Sequence, residues 1–104
     1  MRAGQLTQLT RDHTGTHENG ASYLINAVGL YQNVELDYFT VEVQPGDVFL
    51  LSTDGLHQFL PIQALKQAAA MDSLSDAGKL LVNKAMQSGS VDNISLIFAR
   101  VNAI

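Results

Sequence analysis

Two apolar runs, far apart in the chain, each meet an aspartate at one end. Phe49-Leu50-Leu51 leads into Ser52-Thr53-Asp54-Gly55-Leu56, and Gly89-Ser90-Val91-Asp92-Asn93 leads into Ile94-Ser95-Leu96-Ile97-Phe98-Ala99-Arg100-Val101. Short runs rich in branched and aromatic residues and bounded by turn residues read as buried strands, so one aspartate closes a strand and the other opens one. If these strands lie antiparallel and adjacent, both carboxylates emerge at the same edge of one sheet. Two convergent carboxylates suit a hard divalent cation such as Mg²⁺ or Mn²⁺, which takes oxygen ligands and keeps several waters. Each aspartate also has a plainer reading: Asp-Gly between apolar runs is a common hairpin signal, and Asp-Asn before a strand can be turn chemistry alone.

The remaining chain reads as scaffold. Gln5-Leu6-Thr7-Gln8-Leu9-Thr10 alternates with period two, a half-buried strand entered through an Ala3-Gly4 turn. The chain thus begins at the tip of a hairpin, which implies a strand upstream of Met1. Asp12 to Ser22 is polar, carries Gly15 and Gly20 and shows neither period, so a loop is expected. Tyr23-Leu24-Ile25-Asn26-Ala27-Val28-Gly29 fits either a strand or a buried turn.

Val34, Leu36 and Tyr38 alternate in one phase and Phe39, Val41 and Val43 in the other, so the segment from Val34 to Val43 must bulge or break near Tyr38-Phe39. Gln44-Pro45-Gly46-Asp47 has the residues of a type II turn and should join that strand to Asp47–Ser52 as a hairpin. Pro61 suits a first helical turn, with Ile62, Leu65 and Ala69 recurring at helical spacing through Ala70. Ala77, Leu80, Leu81, Lys84, Ala85 and Ser88 make a second helical stripe, with Ser75 as N-cap and Gly89 just past its end. Mostly antiparallel strands, two helices and a returning strand make an α+β fold.

Composition excludes several classes. The 104 residues allow one domain, and a chain this size buries only about two-thirds of the surface it exposes when unfolded. An apolar fraction of 46% with 15% charged residues, and a mean hydropathy of +0.07, belongs to a folded chain. A formal charge of −4, with six Lys and Arg scattered along the sequence, speaks against nucleic acid as a partner. No window is long and apolar enough to span a membrane and no signal-peptide pattern opens the chain, so a cytoplasmic protein is expected. The absence of cysteine excludes a thiol nucleophile, a thiolate metal site and disulfides.

Other candidates are weaker. Asp47 and Asp12 are better explained by turns. His13 and His17 have a spacing that aligns two ligands on a helix, but Gly15 and the neighbouring threonines oppose one there. His57 follows Asp54 closely enough to face a site, although a partly buried histidine bonded to backbone is the commoner outcome. No Gly-x-x-x-x-Gly-Lys loop, Gly-x-Ser-x-Gly elbow or His-Glu-x-x-His helix occurs.

Taken together, Gly4–His13, Val28-Gly29, Pro45-Gly46-Asp47, Leu51–Leu56 and Gly89–Ser95 follow one another as they do in bacterial metal-dependent, type-2C (PPM) protein phosphatases, and the chain resembles that family over nearly its whole length. The resemblance implies an α-β-β-α sandwich. It implies a Mg²⁺/Mn²⁺ pair that activates water for hydrolysis of a phosphoserine or phosphothreonine, with a phosphoprotein as substrate. Under it, Asp54 and Asp92 would be metal ligands, Asn93 and Gly55 would support them, and the region from Asp12 to Gly29, with Asp12 and His13, would belong to a flap.

Departures from the pattern are equally specific. The family's Asp-Gly-x-Gly-Gly segment, its upstream acidic ligand, its phosphate-binding arginine and its Gly-Asp-Ser-Arg strand are missing, and Gln58 stands where an acidic residue is frequent. Residues 1–104 would then be the C-terminal portion of such a domain, inactive or weakly active alone. Bare apolar faces and open strand edges would invite self-association or strand exchange. The alternative is a non-catalytic interaction module on the same scaffold.

Overall fold

Residues 1–12, 14–16, 22–24 and 36–103 are described by the computed structural model. They fall into two units, Met1–Thr7 with Glu42–Ile104 and, separately, Gln8–Val41.

Within Gln8–Val41, β1 (Thr14–Thr16) and β2 (Ser22–Leu24) pair antiparallel, with Thr14 opposite Leu24 and Thr16 opposite Ser22. A strand therefore occupies part of the stretch expected to be loop, where two β-branched threonines suit an extended backbone. His13, His17 and Ile25–Gly29 lie outside the described residues.

The larger unit holds β3 (Val48–Ser52), α1 (Asp54–His57), α2 (Ile62–Ala69), α3 (Leu74–Gln87) and β4 (Leu96–Arg100). β3 and β4 pair antiparallel, running from Val48 opposite Arg100 to Ser52 opposite Leu96. The fold is α+β, as expected, with the short helix α1 in addition to the two helices read from the sequence.

Small side chains decide how the helices pack. Ala64 and Ala68 of α2 and Ala77, Leu81 and Ala85 of α3 are buried with Leu56 of α1 in one core, and Leu50, Leu96 and Phe98 pack against it from the sheet. Alanine in the seam lets helix axes approach closely. Gly78 does the same between α3 and β4, because a Cβ there would sit 3.3 Å from Leu96 Cδ1. The opposite face of the ribbon is bare: Leu51 and Ile97, cross-strand partners, are 59% and 63% exposed.

Local signals fix the helix ends. Ser73, not Ser75, caps α3, its Oγ accepting from the Asp76 N–H at 3.2 Å. An acceptor hydroxyl three residues before an acidic residue is the stronger N-terminal pattern. Pro61 is the cap of α2, one place ahead of the expected first turn. At the far end of α3, Gly89 adopts φ +99°, its N–H bonds the Met86 carbonyl at 3.2 Å, and the Ser90 N–H bonds the Ala85 carbonyl at 3.1 Å. This pair of bonds is a Schellman motif, and it reverses the chain toward Asp92.

Both expected turns are present. Ala3 and Gly4 have φ +50° and +78°, as a type I′ turn requires at both central positions, and Arg2 and Gln5 exchange two backbone bonds across it. Gly46 has φ +91° and the Asp47 N–H returns to the Gln44 carbonyl at 3.1 Å. The flanking strands differ from expectation: apart from the Arg2–Gln5 bridge, residues 5–10 and 36–44 adopt no strand. Alternation marks a segment that can join a sheet, but a ladder needs backbone pairing, and among the described residues these stretches form none beyond that bridge. Residues 34 and 35 of the expected bulged strand are outside that set.

Candidate functional site

Where the β3–β4 ladder ends, the two aspartate turns meet. The Thr53 N–H adds one further bond to the Ser95 carbonyl at 3.0 Å, after which the chain turns into α1 with Asp54 as its first residue. A carboxylate is favoured there by the exposed N–H groups of the first turn. On the other strand, Asp92 stands three residues before Ser95.

Gly55 shows how close the turns come. A Cβ built on it would lie 2.2 Å from the Asn93 carbonyl oxygen and 3.2 Å from Asp92 Cβ. The backbones touch, so only glycine fits, and the residue beside Asp54 rests directly on Asp92.

Two hydroxyls fasten the junction from opposite sides. Ser90 Oγ donates to the Gly55 carbonyl at 2.7 Å. Thr53 Oγ1 accepts from the Ser95 N–H at 3.0 Å, and its single proton faces the carbonyls of Asn93 and Ser95 at 3.3 and 3.4 Å.

The carboxylates themselves remain open. Asp54 and Asp92 are both exposed. Asp92 Oδ1 accepts from the neighbouring Asn93 N–H at 2.7 Å, while no hydrogen bond or ion pair falls on the Asp54 carboxylate among the described residues. Asn93 is also exposed. No group of three His, Cys, Asp or Glu side chains is assembled among the described residues. Two exposed carboxylates on a close-packed backbone cradle are oxygen donors of the kind a hard cation takes.

The other candidates fall elsewhere. His57 is exposed, and its Nδ1 lies 3.2 Å from Ser52 Oγ, a side-chain partner in place of the expected backbone one. Asp12, in the smaller unit, accepts from Gln8 Nε2 at 3.0 Å, a local bond four residues away. His13 is not among the described residues.

Asp47 holds the opposite end of the ribbon. It is 4% exposed and accepts two hydrogen bonds from Arg2, Nε to Oδ1 and Nη2 to Oδ2, each at 2.8 Å, with the Gln44 N–H also at 2.8 Å. The Arg2 bonds, then the Gln44 N–H, lower its pKa from 3.8 to about 2, against the opposing effect of burial. Sequence reading assigned Asp47 to its turn but missed Arg2, 45 positions away. The only available signal was that a carboxylate beside a buried strand needs a cation.

No protein-family model matches the chain. Among curated proteins it is similar to the serine/threonine phosphatase stp of Listeria welshimeri, 30% identical over 118 aligned positions covering 98% of this chain and 47% of that protein. It is similar also to the protein phosphatase PhpP of Streptococcus pneumoniae, 27% identical with 98% and 40% covered. A solved structure of PppA, described as a key regulatory component of T6SS in Pseudomonas aeruginosa, superposes with a TM-score of 0.81 at 28% identity, over 95% of this chain and 46% of that one. The chain spans somewhat under half the length of these relatives. It is a partial member of the PPM, or type-2C, family of serine/threonine phosphatases.

Proposed function

We propose that the chain is the C-terminal portion of a metal-dependent protein serine/threonine phosphatase and supplies one side of its cation site. The contact of Gly55 with the Asp92–Asn93 backbone carries this reading, because it brings two open carboxylates to one end of a sheet. The phosphatase names of the relatives supply the reaction class.

Asp54 and Asp92 would hold Mg²⁺ or Mn²⁺, with Gly55 beside Asp54 and Asn93 beside Asp92 shaping the contact between the two turns. A cation there would supply a water of lowered pKa and stabilise charge on the attacking water oxygen and on the serine or threonine oxygen that leaves the phosphorus. The chain's own task is to fix two oxygens in place and keep them accessible. Two carboxylates bind such an ion weakly, since affinity rises with ligand charge and rigidity, so catalysis by these 104 residues alone would be poor or absent. Among the described residues no helix is long and apolar enough to cross a membrane.

Mn²⁺-dependent hydrolysis of an aryl phosphate and of a phosphopeptide, in a protein that includes the upstream half of the domain, tests the reading. Asp54→Asn and Asp92→Asn should each abolish most turnover. Normal turnover in either variant would remove that residue from the site.

A second reading, a non-catalytic interaction module, is favoured by the bare Leu51–Ile97 face of the ribbon. An exposed apolar strip on paired strands invites association between copies. Light scattering should then find a stable oligomer that Leu51→Thr with Ile97→Thr dissociates, and a monomer at high concentration would refute this reading.

A further inference from the structure

We infer that Thr53 and Ser90 are positioning residues for the aspartate pair, their hydroxyls setting the spacing of Asp54 and Asp92. The inference deepens the proposed function and rests on the reading of those aspartates as cation ligands.

Past the Thr53–Ser95 bond, the backbone ladder no longer joins the two segments, because one enters α1 and the other bends back toward α3. The Asn93 N–H turns onto its own neighbour, Asp92. What spans the junction is a reciprocal pair of side chains. Thr53 reaches from the first segment to residues 93 and 95 of the second, and Ser90 reaches from the second segment to Gly55 of the first. Asp54 thus lies between two residues tied across the junction, Thr53 and Gly55. Asp92 lies between Ser90 on one side and Asn93 and Ser95 on the other.

Thr53 gives the clearest sign that this arrangement is not ordinary helix capping. It occupies the N-cap of α1, where a threonine hydroxyl usually accepts from an N–H of the first helical turn. Its hydroxyl makes no such bond and is turned across the junction instead. Ser90 stands likewise where the Schellman turn delivers it, with its backbone N–H spent on α3 and its hydroxyl left for Gly55. Neither hydroxyl competes for the carboxylate oxygens, so rigidity is gained and ligand capacity kept.

The test uses the 104-residue chain, with amide hydrogen exchange and Mn²⁺ binding by water-proton relaxation as separate readouts. Thr53→Val removes the acceptor of the Ser95 N–H and should speed exchange of that amide. Removing groups that orient metal ligands typically weakens metal binding by about 10- to 100-fold, and Thr53→Val should weaken Mn²⁺ binding by about 10-fold. Ser90→Ala should weaken it in the same direction, and Thr53→Ser should restore wild-type behaviour in both readouts.

A role in stability alone would lower the melting temperature and leave the Mn²⁺ dissociation constant of the folded chain unchanged. Wild-type Mn²⁺ affinity in Thr53→Val and Ser90→Ala overturns the inference. If Thr53→Val does not fold, Ser90→Ala, which keeps every ladder bond, decides alone. Should the unmodified chain bind Mn²⁺ no better than Asp54→Asn with Asp92→Asn, the cation reading fails and the inference with it. That outcome is recognisable because faster exchange at Ser95 in Thr53→Val would persist.

Discussion

The two ends of the β3–β4 ribbon treat their aspartates in opposite ways. At one end Asp47 is buried and satisfied by Arg2 and Gln44, so nothing is left to offer a ligand. At the other, Asp54 and Asp92 are exposed, and apart from the Asn93 N–H on Asp92 Oδ1 the bonds that fix them belong to their neighbours' hydroxyls and backbone. An aspartate that stabilises a fold is held by its own carboxylate, whereas one that serves a ligand is better held by everything around the carboxylate. The comparison predicts that perturbing side chains at the two ends will separate stability from binding.

Gly55→Ala should have the largest effect. The added methyl would meet a backbone carbonyl at 2.2 Å, which no rotamer change relieves. Overpacking of this kind typically costs about 1–3 kcal/mol, and the forced opening should also abolish Mn²⁺ binding. Urea unfolding measures the first effect and relaxation titration the second. An unchanged midpoint would mean that the turns are not in contact.

Arg2→Met should come next and act on stability alone, since it strands a buried carboxylate at the end remote from Asp54. Its signature is pH dependence. The folded pKa of Asp47, about 2, lies below the ordinary value of 3.8, so the folded state binds fewer protons than the unfolded state between those values. Stability from this pair is present above about pH 4 and is lost as pH falls toward 2. The gap in urea midpoint between wild type and Arg2→Met should therefore be wide at pH 6 and close toward pH 2. A gap independent of pH would show that Arg2 acts through packing and not through its ion pair.

How much of this was legible in the sequence follows from the range of each interaction. Strands β3 and β4, helices α2 and α3, and the turns at Ala3-Gly4, Gly46 and Gly89 are encoded by periodicity or a single glycine, and their approximate places could be read locally. Helix α1 could not, because four residues carry no periodic signal. The order of the two apolar runs suggested that Asp54 and Asp92 share an edge of the sheet. The Gly55 contact and the Thr53 and Ser90 bonds, spanning 35 to 42 positions, have no local signature. The alternation from Val34 to Val43 misled for the converse reason: a pattern states that a segment can pair but cannot supply the partner.

Asp54→Asn and Asp92→Asn should have the smallest effect on stability and the most selective effect on binding. Both side chains are exposed, and Asp54 has no partner among the described residues, so in EDTA each variant should unfold within about 0.5 kcal/mol of wild type. Asparagine preserves shape and an oxygen but removes the charge a hard cation needs. Adding Mn²⁺ should then stabilise the wild-type chain by mass action, by about 2.7 kcal/mol at a hundred times its dissociation constant, and leave both variants unmoved. Thermal melts with and without Mn²⁺ read this directly. If either variant is markedly less stable in EDTA, its aspartate belongs with Asp47 as a structural residue, and the contrast between the two ends of the ribbon disappears.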